Sequence, residues 1–212
     1  MKLRNLNLID FLNKIDSADP TPGGGSAAAL TTAVGISLVR MVSQITISKK
    51  KFKRLDDATK AEYLDATAEL KTLKEEAMAL IDADAAAYLN VMNAYKMPKN
   101  TASEEKERLA AINMATVKAA DVPYRTAEIA LSALRSTKTL YPYAHKNAVS
   151  DIGVGIMQIR AGLFGACMNV RINMSGYNDQ NLAARYLQKT AALEQEAIQI
   201  SEVVLAFVNQ NL

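Results

Sequence analysis

The sequence predicts an all-α fold: an elongated up-and-down bundle of five long helices preceded by a short N-terminal one, in a single domain over 1–212. Three observations carry that prediction. Apolar residues recur at i, i+3, i+4 and i+7 through most of the chain, and no alternating strand-like run interrupts them. Half of the 212 residues are hydrophobic but only 6% are aromatic, with no Trp, and Ala, Leu and Met, among the better helix formers, are abundant. The breaks between periodic segments are short, as antiparallel helix connections are.

Taken in order, Leu8, Phe11, Leu12 and Ile15 define a first helix over about 6–16. "SADPTPGGG" breaks it, and an apolar, alanine-rich helix then runs to Ile47, closed by "SKKKFKR". Asp56 opens a helix that continues to Tyr95, with Leu64, Leu70, Leu73, Leu80 and Ile81 marking its buried side. In "KMPKNTASEE" Pro98 disfavours helix at Met97, and Thr101 with Glu104 fits a capping box. The helix so started spans about 102–135 and contains Pro123, which predicts a kink near Ala119–Ala120. "KTLYPYAHKN" is a connector, followed by helices over 148–174 and 179–210 separated by "SGYND". Helices this long expose much apolar side surface, which predicts a homodimer.

Composition excludes several classes. A net charge of +3 without basic–aromatic interleaving gives no reason to expect nucleic acid. The single Cys167 rules out an internal disulfide and a cysteine zinc cluster, no HxxxH or HExxH occurs, and no metal is expected. His145, between tyrosines in a connector, reads as an incidental loop residue. "MKLRNLNLIDFLNKI" has scattered charges and no apolar core, so it does not read as a signal peptide. The charge-free part of 27–47 stops at Arg40 and is diluted by Thr31, Thr32, Ser37, Ser43 and Gln44. It reads as a buried helix rather than a membrane span. A cytoplasmic location with no membrane partner is expected.

Four places do not fit a plain bundle. From Leu73 the apolar stripe passes Ala77, Leu80 and Ile81, meets Asp84, and resumes at Tyr88, Val91 and Tyr95. Asp82 lies on the Glu75 side and reads as a solvated charge. A buried carboxylate is costly unless paired or protonated, so Asp84 is either a structural acid or an acid–base group. In 148–174 a core stripe (Val149, Ile152, Ile156, Ile159, Leu163, Ala166, Val170) runs beside a face of Asp151, Gly155, Gln158, Gly162, Gly165, Asn169 and Asn173. Interior glycines cost about 1 kcal/mol each against Ala. A close helix crossing explains the glycines; the polar side chains beside them fit the floor of a groove. Both readings stand.

The third place is the loop before the second helix, where Pro22, Gly23, Gly24, Gly25 and Ser26 meet a helix N-terminus whose free N–H groups attract an anion or a carbonyl oxygen. It lacks the GK[ST] ending of a P-loop. The fourth is basic. Lys49, Lys50, Lys51, Lys53 and Arg54 cluster at a helix C-terminus, either as a solvated end or as a receptor for an anionic tail. Lys99, beside Pro98, is placed to meet a carboxylate.

"PTPGGGSAAAL", "DADAAAY", "MPKNT" and "SDIGVGI…GACMNVRINM", in that order and spacing, resemble the cyclodeaminase/cyclohydrolase family over essentially the whole chain. The resemblance implies a helical, dimeric enzyme acting on one-carbon adducts of tetrahydrofolate or of its polyglutamylated forms, with no cofactor beyond that substrate. It implies formation of 5,10-methenyltetrahydrofolate and ammonia from 5-formiminotetrahydrofolate; hydrolysis of the methenyl compound is the alternative within the family. A non-catalytic helical scaffold or folate-binding module is the alternative of another class. The family aspartate falls in "DADA", leaving Asp82 or Asp84, and the helical face selects Asp84 as acid/base. Asp151 is implied as a second catalytic or pterin-binding acid. Pro22 and Gly23–Ser26, with Gln158, Asn169 and Asn173, would bind substrate, and Lys99 or the 49–54 cluster its glutamate tail. Gly153 and Gly155, where alanine would suit a helix better, are expected to loosen the turn that carries Asp151.

Overall fold

Side-chain caps set most helix starts. Asn7, Asp56, Thr101 and Asp179 each accept a hydrogen bond from the backbone N–H three residues on, and Thr101 with Glu104 forms the complete capping box. The computed structural model describes residues 2–212. The helices are α1 Leu8–Ile15, α2 Gly24–Ile47, α3 Lys50–Lys53, α4 Asp57–Tyr95, α5 Ala102–Leu140, α6 Val149–Met174 and α7 Gln180–Gln210. No strand occurs among the described residues. At the N-cap of α2 stands Gly23, which supplies no side-chain cap, so the N–H groups of the first helical turn are left for acceptors from elsewhere in the fold.

Successive long helices run antiparallel. α2 and α6 form the centre: Gly24 lies beside Asn169 at one end, and Gly35 packs on Gly155 and Ile159 farther along. α4 and α5 cover one side, and α7 lies against α6 and α5. Ile36, Leu70, Ile129, Leu134, Ile156, Ile159 and Leu163 fill the core, and the stripe foreseen on 148–174 is buried throughout. Between α2 and α4 the hydroxyls of Ser43 and Thr67 hydrogen-bond at 2.6 Å, which satisfies two polar groups that would otherwise be costly to bury.

The structure corrects several expectations. Of the α1 stripe only Phe11 is buried; Leu8, Leu12 and Ile15 are exposed. In α4 it is Tyr63 that enters the core, and Leu64 is exposed. α5 extends to Leu140 because Thr137 and Leu140 are buried; the anticipated connector begins only there. Pro123 lies inside α5, as expected. The carbonyl that Pro123 leaves without its helical N–H is that of Ala119, and Asn173 Nδ2 donates to it at 2.7 Å. By length and composition Gly24–Ile47 does meet the criteria for a membrane span, but most of its apolar window is buried inside the bundle.

Candidate active site

Asp84 sits where the start of α2 meets the last third of α4. Ser26 Oγ, itself fully buried, lies 2.9 Å from Asp84 Oδ2 and 2.9 Å from the Ile81 carbonyl. A Cβ at Gly25 would overlap the Asp84 carboxylate, and one at Gly24 would press on Asn169 Nδ2 at 3.2 Å. The glycines are thus required by close approach: they let a helix N-terminus close over a carboxylate.

The hydroxyl of Ser26 suits both protonation states of Asp84. With the carboxylate ionised, Ser26 donates to Oδ2. With Asp84 protonated, the acid donates to Ser26 Oγ, which turns its own hydrogen to the Ile81 carbonyl. Burial pushes the Asp84 carboxyl above the usual carboxylate range, while the Ser26 side chain and backbone N–H oppose that rise. The positive end of the α2 dipole acts in the same sense as Ser26.

In front of this pair lies a pocket of about 310 Å³ lined by Pro20, Thr21, Gly23, Gly24, Gly25, Asp84, Tyr88, Val91, Ala119, Asn169, Ile172 and Asn173. Asn169 donates to Gly165 O at 2.8 Å and Asn173 to Ala119 O. Each amide therefore has its donor side engaged and its carbonyl oxygen available as an acceptor.

Of the residues singled out in the sequence, the structure brings Gly23, Gly24, Gly25, Asp84, Asn169 and Asn173 together around the pocket, with Ser26 beneath it. Pro22, which follows a cis peptide bond, is buried and does not line it. Asp151 and Gln158 on α6 fall away: Asp151 is separated from Asn169 by five helical turns, about 27 Å at 1.5 Å per residue, and Gln158 by about 16 Å. Neither lines the pocket. Running antiparallel to α2, α6 carries its N-terminal end to the opposite end of the bundle. Gly162 meets Ala28 and Thr32 near the start of α2, Gly155 meets Gly35 farther along, and towards the opposite end Gly153 meets Val208. The glycines of α6 are explained by close packing and the two asparagines by the pocket.

Asp82 is not a free surface charge. It accepts the Leu3 N–H at 2.6 Å and pairs with Arg4 Nε at 3.3 Å, holding down the N-terminal segment on another side of α4. Lys99 is exposed in the α4–α5 turn and lines no pocket with Asp84. The basic 49–54 cluster contains the separate helix α3 and borders another cavity with Tyr143 and His145, the length of α2 away from Gly24. His145 accepts the Asn147 N–H there and its own N–H donates to Thr46. Sequence reasoning assigned Tyr88 and Val91 to the core stripe, yet they line the pocket. A carboxylate inside an apolar stripe was the available signal that the stripe beyond it faces a cleft.

A profile of the formiminotransferase-cyclodeaminase family matches residues 7–192. A methenyltetrahydrofolate cyclohydrolase of Methylorubrum extorquens is 32% identical over 208 residues, 98% of each chain. The formimidoyltransferase-cyclodeaminase of Gallus gallus is 30% identical over 94% of this chain, which spans only 36% of that longer protein. The crystal structure of a formiminotetrahydrofolate cyclodeaminase from Thermotoga maritima has the same helical fold, with a TM-score of 0.81 over 98% of this chain at 22% identity. Motif order, fold and end-to-end likeness agree, and the chain belongs to the formiminotransferase-cyclodeaminase family.

Proposed function

We propose that this chain is a tetrahydrofolate one-carbon enzyme in which Asp84 moves the protons at the carbon bridging N5 and N10. The observation that carries the reading is a half-buried carboxylate, held by Ser26, in the wall of a glycine-floored pocket. Two reactions share the tetrahedral carbon this site would serve. The whole-length likeness to a methenyltetrahydrofolate cyclohydrolase puts hydrolysis first. Cyclodeamination, the first reading from the motif resemblance, is supported by the family match and the relatives of that name.

In hydrolysis, water adds to the methenyl carbon of the N5–C–N10 cation and gives a proton to the Asp84 carboxylate. The C–N5 bond then breaks, N5 takes that proton, the added hydroxyl loses its own to solvent, and 10-formyltetrahydrofolate results. In cyclodeamination N10 attacks the carbon of the protonated formimino group, the N10 proton passes to Asp84, and the NH2 of the tetrahedral intermediate takes that proton from the same acid and departs as ammonia, leaving the methenyl cation. A carboxyl whose affinity for protons is raised by burial suits both directions of transfer near neutral pH. The ionised form also offsets the positive charge of the methenyl group. The reading invokes no cofactor beyond the folate.

The test follows the methenyl chromophore with purified protein, consumed in water in one assay and formed from 5-formiminotetrahydrofolate with ammonia release in the other. Turnover of one substrate by wild type and its collapse in Asp84→Asn is the expected result. Inactivity of folded protein on both substrates, or full activity of Asp84→Asn, overturns it.

We also propose that two copies pair through the outer face of α2 and α6. Val34, Met41, Val154, Met157 and Met168 are exposed there, an apolar run long enough for an interface of standard size. Light scattering should give a dimer that Met157→Glu weakens; a wild-type monomer removes this part of the reading.

A further inference from the structure

The pocket at Asp84 does not end at Asn173. A second compartment of about 410 Å³ shares Val91, Ile172 and Asn173 with it and continues along α4 to Tyr95 and Arg108. The shared waist presents two apolar side chains beside the Asn173 amide, and Ile172 is 69% exposed there. From Asp84 to Tyr95 the groove follows three turns of α4, about 16 Å, the scale of a pteridine joined to an aminobenzoyl group.

At the far end Arg108 is held in place. Its Nε and Nη2 donate to the Tyr95 carbonyl at 3.2 and 3.1 Å, and its guanidinium lies 5.6 Å from the Tyr95 ring centre. Those two bonds leave three of about five N–H donors uncommitted. Arg125, Arg135 and Arg171 each pair with a glutamate, but Arg108 has no carboxylate within 4.0 Å among the described residues. A fixed guanidinium with free donors, at the end of such a groove, is a receptor for a carboxylate.

We propose that Arg108 receives a glutamate carboxylate of the folate, with the aminobenzoyl ring lying across Val91 and Ile172. This assignment rests on the folate reading above, and replaces Lys99 and the 49–54 cluster as the tail-binding cations.

The experiment compares two substrates in two proteins: 5,10-methenyltetrahydrofolate and its pteroate analogue, which lacks the glutamate. Wild type should show a KM about 10- to 100-fold lower for the glutamate-bearing compound, the scale of a charge-assisted hydrogen bond. Arg108→Ala should shrink that ratio to near one. A residue that only clamps the end of α4 would not change the ratio. If Arg108→Ala does not fold, Arg108→Gln, which still donates to the Tyr95 carbonyl, carries the same comparison. Wild type without preference, or a variant that keeps the full preference, overturns the assignment and leaves the folate reading intact. If wild type neither converts these compounds nor binds 5-formyltetrahydrofolate by fluorescence titration, the folate reading falls and takes this assignment with it.

Discussion

The two ends of the α2–α6 pair use missing side chains for opposite purposes. In the middle and towards the far end, Gly35, Gly155 and Gly162 bring the backbones so close that a Cβ on any of them would strike main chain. The Thr32 hydroxyl that faces Gly162 is bonded back to the Ala28 carbonyl of its own helix, and the result is a close crossing of two largely apolar helices. At the near end Gly24 and Gly25 also permit close approach, but what approaches is an asparagine amide and the Asp84 carboxylate. One stretch gains packing; the other accepts a half-buried acid next to a cavity, a stability cost that the proposed acid–base role would account for. A glycine stripe therefore does not identify a site until the groups facing it are known.

The largest expected effect tests the near end. Asp84→Asn should lower kcat/KM by about 100- to 10,000-fold, the range for removing a general acid–base. Its stability should move the other way. Burial raises the Asp84 carboxyl, so above the ordinary carboxylate range the folded chain still holds a proton that the unfolded chain has lost. Stability from this group falls as pH climbs through that window, and Asp84→Asn at neutral pH should melt at or above wild type. A large melting loss would make Asp84 structural.

Next, the paired substitutions Gly25→Ala and Gly162→Ala set the two ends directly against each other. At Gly25 the added methyl displaces the carboxylate, and a shift of about 1 Å costs about 100-fold in rate. At Gly162 it meets the Thr32 hydroxyl, Ala28 O at 2.8 Å and the Thr32 N at 2.9 Å, none of which lines the pocket. That overpacking should cost about 1–3 kcal/mol, seen as a melting loss of several degrees, with activity per folded molecule kept. Equal losses of activity in both variants would erase the distinction.

A smaller effect concerns Ser26. The acid limb of the kcat/KM profile should lie above the ordinary carboxylate range, because Asp84 must be ionised to accept a proton. Ser26 donors act against that rise, so Ser26→Ala should move the limb to higher pH and lower the rate at neutral pH by about tenfold. A limb that stays in place in Ser26→Ala means the hydroxyl serves the Ile81 carbonyl alone.

Legibility in the sequence divides along the same line. The α6 core stripe was readable because seven apolar residues at helical spacing have one way to be buried. Asp84 was readable because it interrupts such a stripe. Asp151 was misplaced because the face of a helix is periodic along its whole length, whereas a site occupies one or two turns of it. Only the antiparallel pairing of α2 and α6 tells which turns those are. Lys99 and Arg108 differ likewise: both flank the α4–α5 turn, and nothing local says that one side chain folds back on the Tyr95 carbonyl while the other extends into solvent. The exposure of Leu8, Leu12 and Ile15 was hidden for a related reason, since an amphipathic pattern shows that a face is apolar but not whether this chain covers it.

The smallest effect tests how the polar end is joined to the bundle. Pro123 denies the Ala119 carbonyl its helical partner, and Asn173 supplies one from α6. Removing that donor by Asn173→Ala should cost about 1–2 kcal/mol, because the carbonyl is left unsatisfied in a partly buried position. Pro123→Ala returns an N–H to the same carbonyl, so in that background Asn173→Ala should cost less by about 1 kcal/mol. Such coupling, measured by denaturant melts of the four proteins, would mean that Asn173 is held for its free carbonyl oxygen by a defect built into α5. Additive losses would mean that the hydrogen bond does not matter to the fold and that Asn173 is oriented by its neighbours on α6 instead.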